Sequence, residues 1–182
     1  MKGPIRFCQD SKSSVLGDKV LKYWTYFQMP LTYFNAQSFS PRYGDHYFTV
    51  TIVEASVVEN NSFENCNVFC AKAHGIYKIR VSRGRKSWIV HRRYKEFLKL
   101  SQDTEGIIDK SLSEALPKPP RRTLFPNIKY EFLCARKVQL HLYLDSLLFA
   151  LSKNKLMTTR AAEPVLDFLG FYDFNSDICR PT

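Results

Sequence analysis

The sequence predicts an α+β domain, a three-stranded antiparallel sheet followed by helices. Three observations carry that expectation: two runs with period-two alternation, a strand that becomes a helix at Arg92-Arg93-Tyr94, and a leucine stripe after residue 130.

Tyr47 to Val58 is rich in β-branched and aromatic residues. Phe48, Val50 and Ile52 alternate with Thr49 and Thr51, as in a half-buried strand. Ile76 to Val81 alternates again, with Tyr77, Ile79 and Val81 on one face and Lys78 and Arg80 on the other. Arg83-Gly84-Arg85 reads as a short turn, and Trp88 to Arg92 returns as the third strand of a meander.

From Tyr94 the period changes. Tyr94, Phe97, Leu98 and Leu100 share one face of a helix expected from about Arg93 to Ser101. Prolines 117, 119 and 120 in the run Leu116 to Arg122 preclude a helix and favour an extended path. Between Tyr130 and Leu151 the residues Leu133, Leu140, Leu144, Leu147, Leu148 and Leu151 keep one helical stripe. A last short helix is expected near Glu163 to Leu169, where Pro164 suits the first turn. The Pro41-Arg-Tyr-Gly44 turn is the clearest boundary, which makes residues 1–45 an extension of unassigned role. Within it, Lys19 to Phe34 is crowded with aromatics and broken by Pro30. It reads either as an interfacial amphipathic segment or as one that packs on the domain or a partner.

Hydrophobic content of 45% with 14% aromatics in 182 residues is enough for one real core. The net charge of +10 points to a polyanionic partner, a membrane surface or a nucleic acid. That charge is concentrated: Lys78 to Lys99 carries +8 and Lys118 to Lys137 carries +5, so the rest of the chain is slightly acidic. Five irregularly spaced cysteines fit reduced thiols better than a disulfide framework. No run approaches the ~20 apolar residues of a membrane span, and the N-terminus lacks a signal-peptide core. The expectation is a soluble protein whose membrane contact is peripheral. Cys66-x3-Cys70-x3-His74 is one ligand short of a common zinc site, so no metal and no cofactor are expected. No nucleotide loop, nucleophile arrangement or carboxylate pair supports an enzyme.

The chemistry concentrates at the strand-to-helix junction. Arg93 stands where free backbone N–H groups and the positive end of the helix dipole favour an anion, and its guanidinium matches phosphate oxygens. Tyr94 offers an apolar ring face, against the simpler reading of a core tyrosine. Arg136 can lay its stem along the leucine stripe and reach a pocket, against the reading of a solvated helix arginine. Arg92 is one residue out of strand phase with Arg93 and is assigned to general basic surface. Leu124 and Phe125, beside the basic loop, are candidates for insertion into a bilayer interface or for packing on the helices. Pro117-Lys-Pro-Pro120-Arg-Arg122 also fits the Pro-x-x-Pro-x-Arg pattern bound by proline-recognising domains, although its stiffness alone can shape a pocket wall.

Four motifs in order resemble the phox-homology (PX) family: Arg-Arg-Tyr-x-x-Phe from Arg92, Leu-Pro-x-x-Pro-x-Arg from Leu116, Arg-x3-Leu-x2-Tyr-Leu-x2-Leu-Leu from Arg136, and Val-Leu-x-Phe-Leu from Val165. The resemblance covers residues 46–173 and leaves 174–182 as a tail. It implies a three-stranded sheet packed on a helical subdomain, with a basic pocket between them for a phosphoinositide headgroup, most often phosphatidylinositol 3-phosphate. It implies that Arg93 pairs with the 3-phosphate, Tyr94 packs on the inositol ring, and Arg136 reaches the 4- and 5-hydroxyls. It implies that Arg122 holds the 1-phosphate, with Lys118 and Arg121 close by. The function it implies is non-catalytic recruitment to the cytosolic face of endosomal membranes in trafficking or signalling. The alternative is a protein-interaction domain whose basic groove or Pro117–Pro120 loop binds a protein partner. The basic blocks permit nucleic acid, but no nucleic-acid motif or stacking platform is present, so none is expected.

Overall fold

The computed structural model describes residues 31–58, 73–108, 110–123 and 127–172. Four strands form one sheet in the order β1-β2-β3-β4: β1 Thr32–Tyr33, β2 Tyr47–Val58, β3 His74–Arg83 and β4 Lys86–Arg93. β2, β3 and β4 are the expected antiparallel meander. The β2–β3 register runs from Phe48 opposite Arg83 to Val58 opposite His74, shifted by a bulge between Ile52 and Glu54. The tight β3–β4 turn needs glycine. Gly84 sits at φ +53°, and a Cβ there would come within 2.1 Å of the Asp45 carboxylate.

The fourth strand corrects the expected count of three. β1 pairs in parallel with the start of β2: the Thr32 N–H donates to the His46 carbonyl at 2.8 Å and the Phe34 N–H to that of Phe48 at 2.9 Å. Leu31 and Tyr33 are buried, so the core begins ahead of the turn at Pro41–Tyr43, inside the stretch assigned to the extension. A two-residue strand is too short to show an alternation, and its pairing depends on residues 15 positions further on.

Four helices follow: α1 Tyr94–Ile107, α2 Lys110–Ser113, α3 Tyr130–Lys153 and α4 Glu163–Phe168. α1 runs past the expected end at Ser101 because Ser101 and Thr104 occupy core-facing positions that the apolar pattern does not mark. The α3 stripe is buried as expected, from Leu133 to Leu151, and Pro164 stands in the first turn of α4. Rings knit the layers together. Phe171 meets Phe48 at 5.3 Å and Trp88 at 5.0 Å, while Phe97 meets Tyr77 at 6.0 Å and Phe168 at 4.9 Å, all near edge-to-face. α3 crosses the sheet along β2. Its start lies by Gly75, where a Cβ would meet a Leu133 methyl at 2.7 Å, and further on Asp145 accepts a hydrogen bond from the Tyr33 phenol.

Candidate functional site: a basic stack at the sheet-to-helix junction

β4 ends and α1 begins within one residue. Arg93 is the N-cap of α1 in an extended conformation (φ −87°, ψ 158°), and the Glu96 carboxylate accepts its backbone N–H at 2.6 Å. This leaves the Arg93 side chain exposed at the positive end of a 14-residue helix.

Arg92 points the other way, as the strand phase requires, but it is not general basic surface. Its Nε donates to the Phe168 carbonyl at 2.8 Å and its Nη2 to the Asp167 carbonyl at 3.3 Å. Its guanidinium also lies 5.4 Å from the Phe168 ring and 3.7 Å from the Glu96 carboxylate. The last carbonyls of α4 are thereby capped by a cation from the sheet, that of Asp167 in addition to the Gly170 N–H it accepts at 3.0 Å. The correction follows from packing: the inward side of β4 is covered by α4, so an inward arginine becomes a strut.

Tyr94 and Arg136 meet. The Tyr94 phenol donates to the Pro120 carbonyl at 2.5 Å, which straps the proline-rich loop to the start of α1. Buried Leu116 pins the other end of that loop. Above the same ring lies the guanidinium of Arg136, 4.3 Å from its centroid, and that guanidinium also lies over the Phe132 ring at 4.4 Å. Phe132 is one helical turn before Arg136, so α3 itself supplies the second face.

Arg136 is only 8% exposed. Its Nη2 donates to the Arg121 carbonyl at 3.2 Å, while its Nε is buried with no partner, and among the described residues no carboxylate pairs with it. A buried cation with an unmet donor and no counter-ion is costly unless something anionic completes it. Its field is felt nearby. Burial raises the Tyr94 phenol above its ordinary value, and Arg136 and then Arg122 pull it back. Tyr77 shows the same balance, raised by burial and lowered by Arg136.

Arg122, Arg121 and Lys118 are exposed on the strapped loop. Tyr94 is thus the hub: Arg93 precedes it in the chain, Arg136 stacks on it, and the charge of Arg122 acts on it. Leu124 and Phe125 lie outside the described residues, as do Cys66 and Cys70. The described chain resumes beyond the loop with Ile128 and Tyr130, both exposed. The stacking role of Phe132 was missed from sequence, although its position four residues before Arg136 was the available signal. The carbonyls of Pro120 and Arg121 carried none, because every residue has one.

The fold and this geometry define a small α+β module with a basic, aromatic-lined cluster at the sheet-to-helix junction. The family model of the PX domain matches residues 80–160, the stretch that runs from β3 through the Tyr94–Arg136 contact to just past the end of α3. PX domains are in general phosphoinositide-binding, non-catalytic modules. Among solved structures, one described as an X-ray structure of a designed CISK-PX domain is similar at 23% identity, covering 66% of this chain and 96% of that one with a TM-score of 0.46. No curated protein matches the chain. Among the described residues no helix is long and apolar enough to cross a membrane, and no group of three or more metal-ligating side chains is present.

Proposed function

We propose that the protein binds phosphatidylinositol 3-phosphate at the Tyr94–Arg136 stack and is thereby recruited to the cytosolic face of endosomal membranes. The observation that carries this reading is the buried Arg136, which among the described residues has an unmet Nε donor and no carboxylate partner. An inositol phosphate supplies both the missing acceptors and the missing charge.

Arg93, exposed at the helix start, takes the 3-phosphate, and Tyr94 presents its remaining surface to the inositol ring. Arg136 bonds the 4- and 5-hydroxyls, and Arg122, with Lys118 and Arg121 beside it, takes the 1-phosphate that leads to the lipid tails. Leu124 and Phe125 enter the interface and add apolar burial to a composite affinity, to which each basic side chain near an anionic surface contributes roughly 1 kcal/mol. A protein partner for the Pro117–Pro120 loop is the weaker reading, because Tyr94 already holds the Pro120 carbonyl and Leu116 is buried. A proline-recognising partner would have to detach that strap.

Liposome flotation against each phosphoinositide in turn tests the proposal. Wild type is expected to float with 3-phosphorylated lipid, and folded Arg93→Ala is expected to remain in solution. Equal flotation of both on any anionic vesicle would reduce the site to nonspecific charge. No flotation of wild type would end the lipid reading.

A further inference from the structure

The outer face of α3 carries an apolar strip that no described residue covers. Val138 is 55% exposed, Leu142 60% and Phe149 62%, and they fall at i, i+4 and i+11, on one side of the helix. The strip lies roughly 120–160° around the helix from Arg136. A membrane held at the basic site is therefore on the other side of α3, and the strip calls for a different occupant.

We infer that the N-terminal segment Leu16 to Phe27 of this same chain docks along that strip. The point at which the described chain begins argues for it. Leu31 is buried, and Tyr33 is tied to Asp145, which lies between Leu142 and Phe149 on α3. β1 pairs with the start of β2, whereas the start of α3 lies by Gly75, opposite Val57 at the end of β2. Leu31, where the described chain begins, is therefore on the side of the C-terminal half of α3, the half that carries Phe149.

The sequence on that side fits the strip in pattern and length. Leu16, Val20, Tyr23, Trp24 and Phe27 recur at the spacing of one helical face, with Asp18, Lys22 and Thr25 opposite. As a helix, Leu16 to Phe27 would span ~16 Å, the same as Val138 to Phe149 on α3. The four-residue step from Phe27 to Leu31 reaches up to ~14 Å. Pro30 sets a stop between the segment and β1. A second copy is a poorer occupant, since each chain carries a net charge of +10.

Limited trypsinolysis of the full chain, read by mass spectrometry at the Lys19 and Lys22 bonds, tests this. Docking predicts cleavage slowed about tenfold or more relative to Leu142→Glu/Phe149→Glu, because cleavage follows the undocked population. Those two side chains are already exposed, so the variant keeps its core, which circular dichroism checks. Trp24→Ser, altered on the segment alone, should release the same bonds. Protection in wild type that is lost in both variants and independent of protein concentration supports the inference. Rapid cleavage in wild type, protection unchanged in the variants, or protection that grows with concentration or appears only with vesicles each overturns it.

Discussion

The guanidinium of Arg136 lies 4.3 Å from the centre of the Tyr94 ring, and the Tyr94 hydroxyl is spent on the Pro120 carbonyl. One tyrosine therefore holds three parts of the chain: the start of α1, the proline-rich loop and the first half of α3. The ring orients the cation, which no carboxylate among the described residues pairs with.

That arrangement separates stability from binding at Arg136. Arg136→Met replaces a desolvated charge by an apolar chain of similar length, which is often neutral for stability. Thermal unfolding should show a change of no more than about 1 kcal/mol, while binding to 3-phosphorylated vesicles falls at least about tenfold. A loss of several kcal/mol with binding retained would make Arg136 a strut instead.

The neighbouring arginines should behave in opposite ways. Arg92→Ala removes the bonds to the Phe168 and Asp167 carbonyls, so we expect about 2 kcal/mol of destabilisation with vesicle binding of the folded protein intact. Arg93→Ala removes an exposed side chain and should stay within about 0.5 kcal/mol of wild type while binding is lost. Denaturant midpoints and flotation on the same two proteins check the pair.

Alkaline pH should unfold the protein through its buried phenols. Burial, reinforced by the Asp145 carboxylate, raises Tyr33 well above the ordinary value of 10.0, and burial pushes Tyr143 up to about 12. The unfolded chain then ionises first. The stability these groups contribute is fully present below pH 10.0 and is lost as pH rises through their folded values. Tyr33→Phe should lower stability at neutral pH by about 1–2 kcal/mol and flatten the alkaline loss. Urea midpoints from neutral pH to about 12 measure both effects.

Gly170 marks where the last helix turns back onto the sheet. It sits at φ +71°, and a Cβ there would come within 2.8 Å of a Val90 methyl. Gly170→Ala combines left-handed strain with a clash and should cost about 2 kcal/mol. A smaller Ala effect than that of an exposed helix position would contradict the packing.

Much of the site was legible because its motifs sit at changes of period. The switch from alternation to helical spacing at Tyr94 locates Arg93 at a helix start. The strand phase also showed that Arg92 and Arg93 diverge, but it could not show what lay on the Arg92 side. The contact with Phe168 joins residues 76 positions apart, and no local pattern encodes it.

The sequence by itself determined the α+β order, the meander, the α3 stripe and the positions of Arg93, Tyr94, Arg122 and Arg136. These follow from periodicity and backbone preference, which act over a few residues. Only the tertiary structure decided the parallel β1 pairing, the capping role of Arg92 and the closure of Phe132 and Tyr94 around Arg136. Each of these is a contact between distant segments, set by which faces the core leaves for one another to cover.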